Sequence, residues 1–173
     1  EGVAAYGIAT RIEQIALLPG IALSTATLAL TGQNTGARRL SRVRESLRLA
    51  NRCGLWIMLG GGALIILFRA PLMRVFTDET EVLRHGANYL AVAAPTLWAY
   101  VLLFNGVSAM QGMKHPLFAI WIGLFRQILA PAAAFALLAY GLGLGLWGIW
   151  IGIAAVTWLS AGLTVLAVRR TLK

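Results

Sequence analysis

The sequence is short of charge, above all of negative charge. Asp and Glu together number 6 among 173 residues, and all charged residues make up 12%. A water-soluble domain carries about 25% charged residues. There is also a single cysteine, Cys53. The scarcity of charge excludes an ordinary water-soluble domain, and the lone cysteine excludes a disulfide within this chain.

Apolar residues take the place of the missing charge. The composition is 59% hydrophobic with a mean hydropathy of +0.76, and glycine occurs 19 times. A membrane-spanning helix needs about 20 mainly apolar residues, and five runs meet this length: 4–31, 49–68, 87–110, 116–140 and 144–168. None of them alternates as a barrel strand does. The sequence therefore predicts an all-α, polytopic bundle of five transmembrane helices.

The positive charges predict how these helices are oriented. The net charge is +9, and the positive-inside rule places segments rich in Lys and Arg in the cytoplasm. Six arginines lie in or beside the first gap, and we expect residues 37–51 there to form a short basic helix on the inner surface. Lys114 and the C-terminal basic residues fall on the same side. We therefore expect an inner-membrane protein with its N-terminal end outside and its C-terminus cytoplasmic. Because topology explains these arginines, no nucleic-acid partner is expected. The basic residues on the predicted cytoplasmic side are Arg38, Arg39, Arg42, Arg44, Arg48, Arg52, Lys114, Arg169, Arg170 and Lys173.

No set of residues with the spacing of an enzyme active site is found. The sequence offers no Ser/His/Asp set, no paired carboxylates and no phosphate-binding loop. His85 and His115 fall on opposite sides of the membrane in the predicted topology, so they are not expected to share a metal. We therefore expect a protein that is not an enzyme, with no catalytic residue, no bound metal and no organic cofactor.

Polar side chains inside the predicted spans are the candidates for function, because ionisable groups in a bilayer usually face the bundle interior or a wet cavity. Glu13 is the only acidic one; it either binds a proton or cation, or reaches water at the outer boundary together with Arg11. Arg126 either is a fixed positive charge that positions a carboxylate, a ligand or the carbonyls of a broken helix, or clamps helices together, with Glu13 or with a residue outside this chain. The candidate substrate or ion-pathway residues are Arg11, Glu13, Gln14, Asn105, Arg126 and Gln127.

Three aromatic residues of the third span add a second hypothesis. Trp98, Tyr100 and Phe104 fall within seven positions of one another. Such rings either line a cavity for an amphiphilic ligand, by stacking and cation–π contacts, or pack between helices and against lipid.

Several short motifs, in order along the chain, resemble one transporter family. The segment 4–14 is followed by Pro19 and then by a Gly-Gln-x-x-Gly-Ala pattern. An acidic turn at 77–82 precedes Tyr89 and Leu90, a Gly-containing turn at 111–116 opens the fourth span, and Arg126 and Pro131 follow. This order is similar to the C-terminal half of multidrug and toxic compound extrusion (MATE) transporters. The residues that match the family's helix-end signature are Gly32, Gln33, Gly36 and Ala37.

The resemblance implies twelve helices in two lobes around a central cavity, with efflux of amphiphilic, often cationic, compounds coupled to sodium or proton antiport. Residues 1–173 would be a partial C-terminal lobe, helices eight to twelve. The N-terminal half and one further helix would lie outside this sequence, which lacks an initiating Met. Some branches carry a cation-binding acid on the tenth helix. Here that helix has Asn105 instead, so coupling falls to Glu13 or to an acid in the missing part. The alternatives are a lipid-linked sugar flippase of the same wider fold and a non-transporting membrane scaffold.

Overall fold

The computed structural model describes residues 2–141, 143 and 145–172, and these residues are almost entirely helical. Leu144, the first residue of the fifth predicted span, and Lys173 lie outside the described residues. A 3-10 turn, Ala94–Thr96, and two π-helical turns, Phe125–Leu129 and Ala136–Gly141, connect some of the helices. The α-helices are α1 (Gly2–Gly36), α2 (Leu40–Arg74), α3 (Thr80–Ala93), α4 (Leu97–Gly112), α5 (Pro116–Leu124), α6 (Ala130–Phe135) and α7 (Gly145–Thr171).

Five helical stretches are long and apolar enough to cross a membrane, which confirms the predicted all-α bundle of five spans. Two of the five stretches are composite, because the third joins α3 to α4 and the fourth joins α5 to α6. The stretches are Gly2–Gly36, Leu40–Arg74, Thr80–Gly112, Pro116–Leu138 and Gly145–Thr171.

The prediction of a separate basic helix at 37–51 is wrong. The basic segment is the N-terminal part of α2, which runs from Leu40 to Arg74. The backbone of α2 departs from helical geometry at Phe68, where it kinks. At 1.5 Å per residue, the part from Leu40 to this kink spans about 40 Å, well beyond the roughly 30 Å of the hydrocarbon core. Val43 and Leu47 are buried against the ends of α4 and α7, so this segment packs on the bundle rather than lying apart from it.

The residues of the predicted helix-end signature lie at the end of α1. The carbonyl of Asn34 accepts a hydrogen bond from the N–H of Arg39 at 2.8 Å. Between them, Arg38 has a φ of 57°, the left-handed conformation that closes many helix C-termini. The residues of the signature are Gly32, Gln33, Gly36 and Ala37; the first three lie in the last turns of the helix and Ala37 directly follows it.

Two prolines explain the interruptions of the third and fourth spans. Pro95 lies in the 3-10 turn between α3 and α4. Pro131 has no N–H with which to bond the carbonyl of the preceding turn. Just before it, the N–H of Ala130 bonds the carbonyl of Phe125, five residues back. This wider turn contains Arg126, and such π-helical turns often occur at functional sites.

Glycines allow the long helices to approach one another closely. A Cβ atom placed on Gly54 of α2 would lie 2.4 Å from Cγ1 of Val101 on α4. On the other side of α4, a Cβ on Gly106 would lie 2.4 Å from Cγ2 of Thr164 on α7. Both distances are too short for a real contact, so small residues set the spacing of α2, α4 and α7.

We predict that Gly54→Ala lowers the free energy of unfolding by about 1 to 3 kcal/mol, because the methyl group overpacks this contact. Gly60 lies on the same helix with nothing within 4 Å of an added Cβ, so Gly60→Ala is the matched control and is expected to be nearly neutral. Thermal unfolding of the complete protein in detergent measures both. Equal melting temperatures of the two variants would contradict the close approach. So would a Gly54→Ala variant whose stability is not restored by the additional Val101→Ala substitution.

Candidate functional site

The carboxylate of Glu13 is buried inside the bundle and hydrogen-bonded. Its side chain is 6% exposed, and the hydroxyl of Tyr89 on α3 donates to its Oε2 atom at 2.6 Å. Glu13 continues a row at helical spacing on α1 that begins with Ala5 and Ala9, both fully buried. The two small side chains on this face let α3 approach, and the carboxylate follows them into the interior.

Aromatic rings hold Tyr89 in position. The ring of Tyr6 meets it edge-on, with centroids 5.2 Å apart, and Trp150 of α7 meets it with centroids 6.1 Å apart. Beside the carboxylate lies a cavity of about 10 Å³, bordered by Glu13, Tyr89, Thr96, Trp150 and apolar side chains. A cavity of this volume holds about one water molecule.

Arg126 is near this cluster but makes no ion pair with Glu13. Its guanidinium carbon lies 5.3 Å from the centroid of the Tyr100 ring, a cation–π contact. In the described part of the chain, the ion pairs within 4.0 Å are those of Glu81 with Arg84 and His85. A direct Arg126–Glu13 clamp is therefore not formed, and the guanidinium of Arg126 faces the ring of Tyr100 instead.

Asn105 belongs to a different polar contact. It is fully buried, and its Nδ2 atom donates to Oδ1 of Asn51 at 3.0 Å. The hydroxyl of Thr27 lies 3.5 Å from its Oδ1 atom. The three side chains come from α1, α2 and α4, so this contact links three helices.

The remaining predicted residues lie around these clusters rather than in them. Arg11, Gln14 and Gln127 are exposed. Phe104 is half-buried beside Tyr100, with centroids 5.7 Å apart. Trp98 packs edge-on against Trp158 at 5.9 Å and lines a groove between α2, α4 and α7. The three aromatics of the third span therefore do not share one cavity wall in this structure.

Six residues of these clusters are absent from the sequence-predicted site: Tyr6, Thr27, Asn51, Tyr89, Thr96 and Trp150. A buried tyrosine usually finds a hydrogen-bond partner for its hydroxyl, which is a usable signal for Tyr89 once its span is predicted. Trp150 and Asn51 carry no comparable signal, because their roles depend on which helices are neighbours.

The family profile described as MatE matches residues 1–136. The chain belongs to the MatE family. A "Probable multidrug resistance protein NorM" from Pseudomonas aeruginosa is 28% identical over 159 residues, covering 89% of this chain and 33% of that protein. An "FAD transporter" from Shewanella oneidensis is 27% identical over 143 residues, covering 81% and 31%.

The fold agrees with this membership. The solved outward-facing conformation of a multidrug resistance MATE family transporter matches with a TM-score of 0.92 at 23% identity, over 98% of this chain and 38% of that one. The chain thus spans about a third of the length of the curated relatives it matches. The resemblance to MATE proteins is confirmed, and this MatE chain is a multi-pass membrane protein of a transporter family rather than an enzyme.

We predict that Tyr89→Phe destabilises the MatE bundle by about 1 to 3 kcal/mol, because it removes the hydrogen bond to a buried carboxylate and keeps the ring. Tyr6→Phe is the matched control: Tyr6 packs against the same ring, and its hydroxyl makes no hydrogen bond to a described residue. Thermal unfolding of the complete protein compares the two. A Tyr6→Phe variant that loses as much stability as Tyr89→Phe would show that the hydrogen bond contributes little.

Proposed function

We propose that this chain is part of an efflux transporter that exports small amphiphilic compounds, and that Glu13 binds the coupling cation. The multidrug resistance names of its relatives support the activity. The observation that carries the coupling role is the burial of one hydrogen-bonded carboxylate inside a transmembrane bundle. A carboxylate in a bilayer is costly and usually lies on an ion or substrate pathway.

The surroundings of Glu13 favour a proton over a sodium ion as the coupling cation. The side-chain oxygens around the one-water cavity belong to Glu13, Tyr89 and Thr96, and the rest of the lining is apolar or aromatic. Hard metal cations are bound by oxygen ligands, commonly six or more. A proton needs only the carboxylate and one carrier, and Tyr89 or a single water in the cavity provides it.

The place of the chain in the whole transporter is also a proposal. We assign its spans to helices eight to twelve, in the C-terminal lobe, with the N-terminal lobe and one further helix completing the protein. The arginine-rich start of α2 lies in the cytoplasm in this proposal. The N-terminal end of the chain is then outside and its C-terminus is inside, in the inner membrane.

We predict that Glu13→Gln in the complete protein lowers gradient-driven efflux by about 5- to 150-fold, the range of a lost coupling between two binding sites. The amide keeps the shape and a hydrogen bond to Tyr89 but cannot exchange a proton. Efflux of an amphiphilic cationic dye from cells, normalised to protein abundance, measures the effect. Glu45→Gln is the matched control, since Glu45 is exposed near the start of α2.

Further efflux measurements test the coupling ion and the substrate separately. Collapse of the sodium gradient alone should leave wild-type efflux intact, whereas collapse of the proton gradient should stop it. Glu13→Gln efflux equal to wild type would place coupling in another part of the protein. Because one relative is named an FAD transporter, flavin dinucleotide export is assayed in parallel, and export of that dinucleotide alone would contradict the amphiphile proposal.

The proposed orientation predicts opposite labelling of two positions. In a Cys53→Ser background, Asp78→Cys should react with a membrane-impermeant maleimide in intact cells, whereas Arg42→Cys should react only after permeabilisation. Both native side chains are exposed, and the two lie at opposite ends of α2 and its following turn. Labelling of Arg42→Cys in intact cells would reverse the topology.

A further inference from the structure

A groove of about 620 Å³ lies between α2, α4 and α7, away from Glu13. This is within the usual size range of ligand pockets, roughly 300 to 1,000 Å³. One wall is a stripe of α2 that runs from Arg44 to Leu55, and the other is the C-terminal part of α7, from Val165 to Leu172. Trp98, Leu102 and Gly106 of α4 form its floor.

The mouth of the groove is strongly positive. Four arginines line it and no acidic residue does. Three of them recur every fourth residue on α2, so they lie on one helix face, and the fourth belongs to α7. Within the described residues, no carboxylate approaches these guanidinium groups within 4.0 Å. The four are Arg44, Arg48, Arg52 and Arg169.

One arginine also shapes the mouth. The Nη2 atom of Arg44 donates to the backbone carbonyl of Leu172, which ties the start of α2 to the end of α7. Arg48 and Arg52 line the groove and make no side-chain hydrogen bond to any described residue, so their donors are available to a ligand there. Guanidinium groups bind phosphate through paired hydrogen bonds.

The groove also has an apolar lining, and its length along α2 is about half of the hydrocarbon core. Leu47, Leu55, Leu102, Val165 and Val168 line it together with the arginines. From Arg44 to Leu55 the wall on α2 rises about 16 Å at 1.5 Å per residue, against roughly 30 Å for the core, and the three arginines of α2 recur along most of this length.

We propose that this groove binds an anionic phospholipid, with its phosphate on Arg48 and Arg52 and an acyl chain along the apolar floor. A soluble anion would use the arginines but leave the apolar part of the groove empty. A zwitterionic lipid would fill the apolar part of the groove, but its headgroup would also bring a positive charge next to the arginines. The proposal depends on membrane embedding and not on the transport activity.

Native mass spectrometry of the complete protein, titrated with phosphatidylglycerol, tests this site. Arg48→Gln/Arg52→Gln should weaken phosphatidylglycerol binding about 10- to 30-fold, from the loss of two arginines next to an anionic headgroup. Arg39→Gln/Arg42→Gln is the matched control, because it removes two charges at the start of α2 from residues that do not line the groove. The control should bind within about twofold of wild type, since interactions between exposed charges fall off within a Debye length.

Two further experiments identify what binds in the groove. Glycerol phosphate, which has the headgroup without chains, should not displace the lipid; displacement would show a site for free phosphate and overturn the proposal. A photoactivatable phosphatidylglycerol should crosslink wild-type protein at groove residues of α2, α4 or α7, a readout that does not depend on a variant folding. Crosslinks only elsewhere, or equal lipid binding by the two double variants, would show that another part of the polypeptide covers the groove or that the charge is not used.

Discussion

The hydrogen bond from Tyr89 to Glu13 is the interaction on which the polar interior of this bundle depends. Hydrocarbon offers no hydrogen-bond partner, so a carboxylate at this position needs one from the protein. Three helices provide it: α1 places Glu13 behind Ala5 and Ala9, α3 contributes Tyr89, and α7 brings Trp150 against the tyrosine ring. The result is a buried carboxyl group with one side-chain hydrogen-bond partner among the described residues and a one-water cavity beside it, the arrangement on which the proposed proton coupling rests.

The irregular turns lie next to the polar side chains of the bundle interior. The 3-10 turn at Pro95 separates α3, which carries Tyr89, from α4, which carries Tyr100 and Asn105. A carbonyl of this turn, that of Ala94, lies 3.2 Å from where a Cβ on Gly62 of α2 would stand. The π-helical turn before Pro131 holds Arg126 over Tyr100. Prolines thus create local geometry, and glycines on neighbouring helices make room for it. Through these contacts α4 packs closely against both α2 and α7, and the basic groove is lined by all three helices.

Much of the fold was predictable from the sequence because a bilayer imposes a length and a composition on each span. The number of spans and the end of α1 follow from apolar length and a helix-end signature. The burial of Glu13 does not, because its place in the span is compatible with water at the outer boundary as well as with the interior. The continuity of α2 was not predictable, because nothing in the charges of residues 37–51 shows whether Val43 and Leu47 face lipid or protein. The partners of Arg126 and Asn105 were also inaccessible. Which side chains meet across helices depends on the register between helices, and periodicity along one helix does not contain it.

We propose that Glu13 takes up and releases a proton inside the membrane. Infrared difference spectroscopy of the complete protein, recorded as the pH is lowered, detects this protonation. We expect a carbonyl-stretch band of a protonated carboxyl group that is absent in Glu13→Gln and shifts in frequency in Tyr89→Phe, where its hydrogen-bond partner is lost. A difference spectrum that is the same in wild type and Glu13→Gln would show that Glu13 does not titrate.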